Sequence, residues 1–376
     1  MQAWNYIKKV KKYIEVKFLQ KYFDNQFWNV VDESNFKVAT ITRQIFNDEI
    51  KTFYPKKDIE KQRIERIDIY NFIILNFTKY LFKVADCIVE PQYSWVILGN
   101  KNIFLYSFPM VEDPWDKVKA RPSVIRYRLN SKYKHLDEAI LIKYNWANYY
   151  HFLIDVIGQL NVADELGLNN ATPVLVPHNA FQNKHVREYF ELFPCKRKII
   201  IQEENEYYKI KNLYLAKDAV CTKKICLFKE NVKSIIAKLD ADITISPEYL
   251  FVTRRKEFKR VPRNINQLEE IALKSGFTVI EPGDFSFIRQ LKLFSNARCV
   301  IGIHGAALTN IVFSKQKNLK LFEIFPGGGL NPEHYENICM VLGYEYNSIH
   351  GDGIDAEGYF NVDSNKFSNE IKLFFN

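Results

Sequence analysis

The chain contains no run of about 18 uninterrupted apolar residues, so no membrane-spanning helix is expected. Its opening, Met1-Gln2-Ala3-Trp4, runs at once into lysines. It has neither an apolar core of about 7 to 15 residues nor a small-residue cleavage site, so the pattern of a secretory signal is missing. Six cysteines are scattered as Cys87, Cys195, Cys221, Cys226, Cys299 and Cys339 with no CxxC pair. That spacing argues against a zinc site or a disulfide framework, and the cysteines read as free thiols of a reducing compartment. Internal repeats, low-complexity tracts and nucleic-acid motifs are also missing. A cytoplasmic location is expected from these features taken together.

What is present is a globular composition. With 376 residues and 47% apolar side chains, the chain can bury a large core, and its length suits two domains better than one. The net charge of +9 predicts attraction to polyanions such as a nucleotide diphosphate, an anionic glycan or a membrane surface. Its lysines are spread along the whole sequence, so nucleic acid is not an expected partner. Residues 1–22 form a basic amphipathic pattern, with Trp4, Ile7, Val10, Ile14 and Phe18 on one side and Lys8, Lys9 and Lys12 on the other. Such a helix either docks on the protein's own core or makes a peripheral contact at the inner face of the cell membrane.

Along the chain the pattern changes three times. Residues 1–70 read as an N-terminal helical/β extension that holds the basic amphipathic helix and a further helical segment. From 71 to about 107, β-rich runs at Asn71–Leu75 and Ser94–Tyr106, broken by Pro91 and Gly99-Asn100, predict a small antiparallel unit. Strand and helix then alternate: strand Ala139–Tyr144, helix 148–166, strand Pro173–Val176, helix 180–193 and strand Lys198–Gln202. A polar linker near 240–247 divides 71–245 from a second alternating series in 246–350. That series runs strand Tyr249–Thr253, helix Asn266–Ser275, strand Thr278–Ile280, helix Ser286–Ala297, strand Cys299–Ile303, helix Ala306–Phe313 and strand Lys320–Ile324. Both series imply parallel α/β sheets, and the second a doubly wound unit. Residues 351–376 read as a tail whose helix packs back on the first domain.

Two regions carry chemistry. In Val300-Ile301-Gly302-Ile303-His304-Gly305-Ala306, a buried strand meets a helix through a small-residue turn. Gly305 there removes the side chain where another backbone or a phosphate must approach, and the helix start offers free N–H donors. Arg254 ends another strand and is followed by Arg255, Lys259, Arg260 and Arg263, so its guanidinium is the first choice for clamping diphosphate oxygens. Glu323 lies inside the apolar strand Leu321–Phe325 and needs a buried partner, which ribose hydroxyls or an internal arginine would supply. At the other region, Asn148-Tyr149-Tyr150-His151 starts a helix, with His151 and Asp155 at i and i+4 on one face. An imidazole paired with a carboxylate can take a proton from an attacking hydroxyl; the same spacing also serves a helix-capping ion pair.

Taken in order, five blocks resemble the motif series of glycosyltransferase family 61. They are Asn148-Tyr149-Tyr150-His151-Phe152-Leu153-Ile154-Asp155, Thr253-Arg254 with Arg260-Val261-Pro262-Arg263-Asn264, Phe287 with Gln290, Ile303-His304-Gly305-Ala306-Ala307-Leu308-Thr309-Asn310, and Phe322-Glu323-Ile324-Phe325-Pro326. The resemblance runs from about 85 to 345. It implies a GT-B fold of two Rossmann-like domains facing a central cleft, inversion at the anomeric carbon and a nucleotide sugar, usually linked to UDP. It makes Arg254, Arg260, His304, Gly305, Ala306, Asn310 and Glu323 donor-site residues, with His151 and Asp155 catalytic and Asn148 and Tyr149 on the acceptor side. A glycan or lipid-linked glycan of bacterial surface polysaccharide is the acceptor it suggests, and no metal or other cofactor is expected. Ile265 stands where the family often has an acidic residue. Three rival patterns remain. Asp240-Ala241-Asp242 spells a metal-binding DxD but follows a lysine-rich helical stretch, so it reads as linker. His151-Phe152-Leu153-Ile154-Asp155 spells the HxxxD of coenzyme-A-dependent acyltransferases, with Val156 where those carry glycine. The charge alone would suit a polyanion-binding protein without turnover.

Overall fold

The computed structural model of the protein describes residues 27–31, 41–48, 77–92, 94–99, 102–104, 117–119, 132–142, 146–218, 225–226, 228–233, 236, 246–255, 259–328 and 333–375. The basic segment 1–22, the run Asn71–Leu75 and Asp240-Ala241-Asp242 lie outside them.

Ten strands form the first sheet: β1 (Phe27–Val31), β2 (Ile41–Asp48), β3 (Phe77–Val89), β4 (Val96–Leu98), β5 (Asn102–Phe104), β6 (Lys117–Lys119), β7 (Tyr133–Leu141), β8 (Val174–Pro177), β9 (Ile199–Gln202) and β10 (Tyr207–Asp218). Their order is β6-β1-β5-β4-β3-β10-β7-β8-β9, with β2 also against β3. β3, β4 and β5 pair antiparallel, as the turn at Gly99 requires, but they are the continuation of the α/β sheet rather than a separate unit. The region read as a helical/β extension contributes two strands, β1 and β2, to this sheet. The reason is local: Phe27-Trp28-Asn29-Val30-Val31 is rich in aromatic and β-branched side chains, which fit a pleated surface.

The second sheet is entirely parallel and is built from β11 (Tyr249–Val252), β13 (Thr278–Ile280), β14 (Cys299–Ile303), β15 (Lys320–Phe325) and β16 (Glu345–His350). Its order is β13-β11-β14-β15-β16; a short β12 (Val261–Pro262) pairs with β17 (Tyr359–Phe360) beside it. The helices are α1 (Ile157–Glu165, entered through a π turn at His151–Val156), α2 (Lys184–Leu192), α3 (Ile265–Lys274), α4 (Phe287–Ser295), α5 (His334–Leu342) and α6 (Ser364–Phe375). The segment expected as a helix over Ala306–Phe313 winds as a 3-10 helix. No helix among the described residues is long and apolar enough to cross a membrane.

Strand alternation explains how the second sheet is covered on both faces. Phe251, Ile301, Ile303, Phe322 and Ile324 point to a core shared with α3 and α6, through Leu268, Phe367 and Ile371. Leu250, Val252, Val300 and Leu321 point the other way, into a core that also holds Phe152, Val176, Tyr189 and Phe228. The C-terminal helix α6 therefore packs on the second sheet and α3, not back on the first domain; its Phe367 and Ile371 find their apolar partners there.

The core between the two sheets is strongly aromatic. Phe287 meets Tyr189 at 5.6 Å and Phe313 at 5.6 Å between ring centroids, and Phe228 meets Phe313 at 6.0 Å. Polar ties accompany it. Glu188 of α2 accepts from the Phe287 amide at 2.9 Å, and Lys229 donates to the carbonyls of Val312 and Ser314 at the end of the 3-10 segment.

Candidate active site

In the second sheet the chain leaves β11, forms β13 on one side, then crosses to β14 on the other. The strand order reverses between β11 and β14, and ligands of open α/β sheets bind in the crevice outside such a reversal. Arg254 follows the end of β11, and His304 follows the end of β14. Arg254 donates from Nη1 to the His304 carbonyl at 3.2 Å. Gly305 makes this approach possible: a Cβ there would lie 2.5 Å from Arg254 Nη1.

A second cation joins the first. Arg260 has a left-handed backbone, φ 64°, fixed by its amide donating to the Gly358 carbonyl at 2.6 Å. Such a conformation is costly for a side-chain-bearing residue and is concentrated at functional positions. Burial, then the positive charge of Arg260, push the Arg254 guanidinium below its usual value. Two neighbouring guanidiniums at a sheet reversal favour an anion that both can contact.

His304 is 5% exposed and sits 2.6 Å through Nδ1 from Glu323 Oε1. Its ring stacks on Phe325 at 4.9 Å. The other Glu323 oxygen accepts from the Tyr346 hydroxyl at 2.8 Å, and the carboxylate is 0% exposed. Glu323 therefore orients His304 instead of facing ribose, and its partners are an imidazole and a phenol instead of an arginine. Burial raises its carboxyl above the usual range, while the bonds from His304 and Tyr346 pull it back.

The first sheet contributes from the end of β7. The Asn148 side chain accepts from the His151 amide at 3.2 Å and so caps the turn that enters α1. His151 Nδ1 then lies 2.7 Å from Asp155 Oδ2. The i and i+4 pairing expected from the sequence is present, on a π turn of the kind that often marks functional sites. Asp155 is 3% exposed, whereas the His151 side chain is partly open. An ionised Asp155 can only accept, so it holds the proton on Nδ1 and leaves Nε2 as the imidazole's basic nitrogen.

These two groups come together. Tyr149 donates from its hydroxyl to Asn310 Oδ1 at 2.6 Å, bridging the halves, and Asn310 donates to Gln290 at 2.9 Å. Asn310 is 0% exposed, so it serves as an internal strut and does not present its amide to a donor. Ala306 is half-buried beside Gly305, whose carbonyl accepts from the Tyr335 hydroxyl at 2.6 Å. Arg263, by contrast, is exposed and pairs with Asp355 and Glu357, away from the site.

Sequence reasoning missed His334 and Tyr335, at the start of α5. Tyr335 touches His304 at 5.6 Å and Tyr150 at 5.9 Å, while His334 lies 6.5 Å from His151 between ring centroids. The rule that found His151 and His304, a histidine just past a strand's C-terminal end, also applies after β15. The glycine run Gly327-Gly328-Gly329 hid the following helix start. Among the described residues no group of three or more His, Cys, Asp or Glu side chains is arranged to hold a metal ion.

Residues 149–320 match the family model Glycosyltransferase 61. The matched segment contains His151, Asp155, Arg254, Arg260, His304, Gly305, Ala306 and Asn310; Asn148, Glu323 and His334 fall outside it. The match supports family 61 and, with it, a glycosyltransferase. No curated protein matches the chain.

Proposed function

We propose that the protein is an inverting, metal-independent glycosyltransferase that moves a sugar from a UDP-linked donor to a hydroxyl of a glycan or lipid-linked glycan. We place it in the assembly of bacterial surface polysaccharide such as capsule or lipopolysaccharide, on the cytoplasmic side. One observation carries the reading. The His151–Asp155 pair of one sheet and the Arg254–His304 corner of the other both fall within the segment that matches family 61, and they flank the contacting rings of Tyr150, beside His151, and Tyr335, beside His304. The two facing α/β sheets are read as a GT-B arrangement.

In this mechanism Arg254 and Arg260 hold the diphosphate oxygens, and the amides of the Gly305 turn add neutral donors. The acceptor oxygen attacks the anomeric carbon from the face opposite the diphosphate. His151 Nε2 takes the hydroxyl proton as the new C–O bond forms, and Asp155 stabilises the resulting imidazolium. The bond from the anomeric carbon to the diphosphate breaks with its electron pair leaving on UDP, so one displacement inverts the centre. Fixed cations stabilise that leaving charge, so turnover should survive EDTA. A UDP-release assay over a panel of UDP-sugars, with and without EDTA, tests the reading. Release from one donor that EDTA leaves unchanged supports it; release abolished by EDTA and restored by manganese refutes metal independence.

A further inference from the structure

Three imidazoles cluster at the site, and only two are backed by a carboxylate. His151 has Asp155 and His304 has Glu323. His334 stands between them, half-buried, with its ring 4.9 Å from Tyr150 and 6.5 Å from His151 between centroids. Neither of its ring nitrogens has a hydrogen-bond partner among the described residues. A half-buried imidazole whose nitrogens no described protein group satisfies, close to both the His151–Asp155 pair and His304, is open to a hydroxyl bound between those two pairs. We propose that His334 is a substrate-contacting residue that hydrogen-bonds a hydroxyl of the transferred sugar, a role that rests on the glycosyltransferase reading.

The charge state suits this task. Burial, and then the positive charges available to His304 and His151, hold the His334 imidazole below its usual value, so near neutral pH it carries no charge. A neutral imidazole offers one donor and one acceptor, which matches a sugar hydroxyl. It would compete poorly with Arg254 and Arg260 for a diphosphate. The tilted ring contact with Tyr150, itself buried, restricts how the imidazole can turn.

The test compares His334→Phe with His334→Gln. Phenylalanine keeps the ring and its contact with Tyr150; glutamine returns a donor and an acceptor. The variants should bind UDP, measured by calorimetry, within about threefold of the parent protein, because the diphosphate does not touch this ring. For the active UDP-sugar, kcat/KM should fall by about ten- to a hundredfold in H334F, the loss expected when a sugar hydroxyl loses its partner in a desolvated site. H334Q should recover a large part of that loss. Undiminished kcat/KM in H334F overturns the assignment, and so does a loss of UDP affinity in step with turnover, which would put the imidazole on the diphosphate. If H334F fails to fold, His334→Leu replaces it and is read the same way: near-parent UDP affinity with kcat/KM lowered about ten- to a hundredfold supports the role, and undiminished kcat/KM, or UDP affinity lost in step with turnover, refutes it. A parent protein that binds no UDP and releases none from any UDP-sugar refutes the glycosyltransferase reading itself, and this role with it.

Discussion

Replacing Gly305 with alanine separates binding from folding more cleanly than any other single change at this site. The backbone there is extended, φ 173°, so alanine adopts it without strain. The added Cβ would stand 2.5 Å from Arg254 Nη1, well inside contact distance, and the backbone neighbour closest to it is the Ile303 carbonyl at an ordinary 3.7 Å. The guanidinium must move by about 1 Å, which breaks its 3.2 Å bond to the His304 carbonyl and withdraws it from the sheet reversal. A charge-assisted hydrogen bond from this guanidinium to a phosphate oxygen is worth about 1.5 to 3 kcal/mol, whereas the half-buried guanidinium can exchange its long bond to the His304 carbonyl for water. The expected result is UDP bound about ten- to a hundredfold more weakly, with thermal stability changed by less than about 1 kcal/mol. Gly302→Ala, three residues earlier, is the control. Its Cβ would meet Leu308 Cδ2 at 2.3 Å and Val252 Cβ at 3.2 Å inside the core, so it should cost about 1 to 3 kcal/mol of stability through overpacking. Calorimetric titration with UDP and denaturant unfolding of both variants give the four numbers needed. Unaltered UDP affinity in folded G305A would show that Arg254 does not hold phosphate.

Other expectations follow from the same geometry. His151→Ala and Asp155→Asn should each lower the transfer rate by about two to four orders of magnitude with UDP affinity unchanged; near-parent turnover in both would remove the dyad from the mechanism. Tyr149→Phe deletes the hydroxyl that bridges to Asn310 and should destabilise the protein by about 1 kcal/mol in urea unfolding, a null result marking that bridge as energetically idle. Because burial and neighbouring positive charge depress the folded His334 value below 6.5, its contribution to stability is complete above pH 6.5 and is lost as pH falls toward the folded value. His334→Asn should therefore flatten the stability–pH curve below 6.5, and curves that stay parallel would contradict the burial argument.

The second sheet was legible because its strands are continuous apolar runs ended by turn residues, as in Thr278–Ile280 and Cys299–Ile303, and their helices carry a clear 3.6 period. The insertion of β10 between β3 and β7 was not, because it pairs residues such as Leu213 and Val84 that are far apart in the chain. At the site, His151 and Asp155 were readable as an i and i+4 pair within one turn. The partner of Glu323 was hidden, since His304 reaches it only through the register that sets Gly302 beside Glu323 on adjacent strands. Asn310 misled for a related reason: its motif position says nothing of Tyr149 arriving from the other sheet.

The shared aromatic core has a consequence for how this architecture can be recombined. Phe287 belongs to the half built on the second sheet, yet it is seated among Tyr189, Phe193 and Phe313 from both halves, and its amide is capped by Glu188. A second-sheet half grafted from another protein would bring its own shape to that seam and leave Tyr189 and Phe193 facing a mismatched partner. Under the proposed function, sugar specificity would therefore be better exchanged by transplanting the short junctions at Arg254, His304 and His334 than by swapping whole halves.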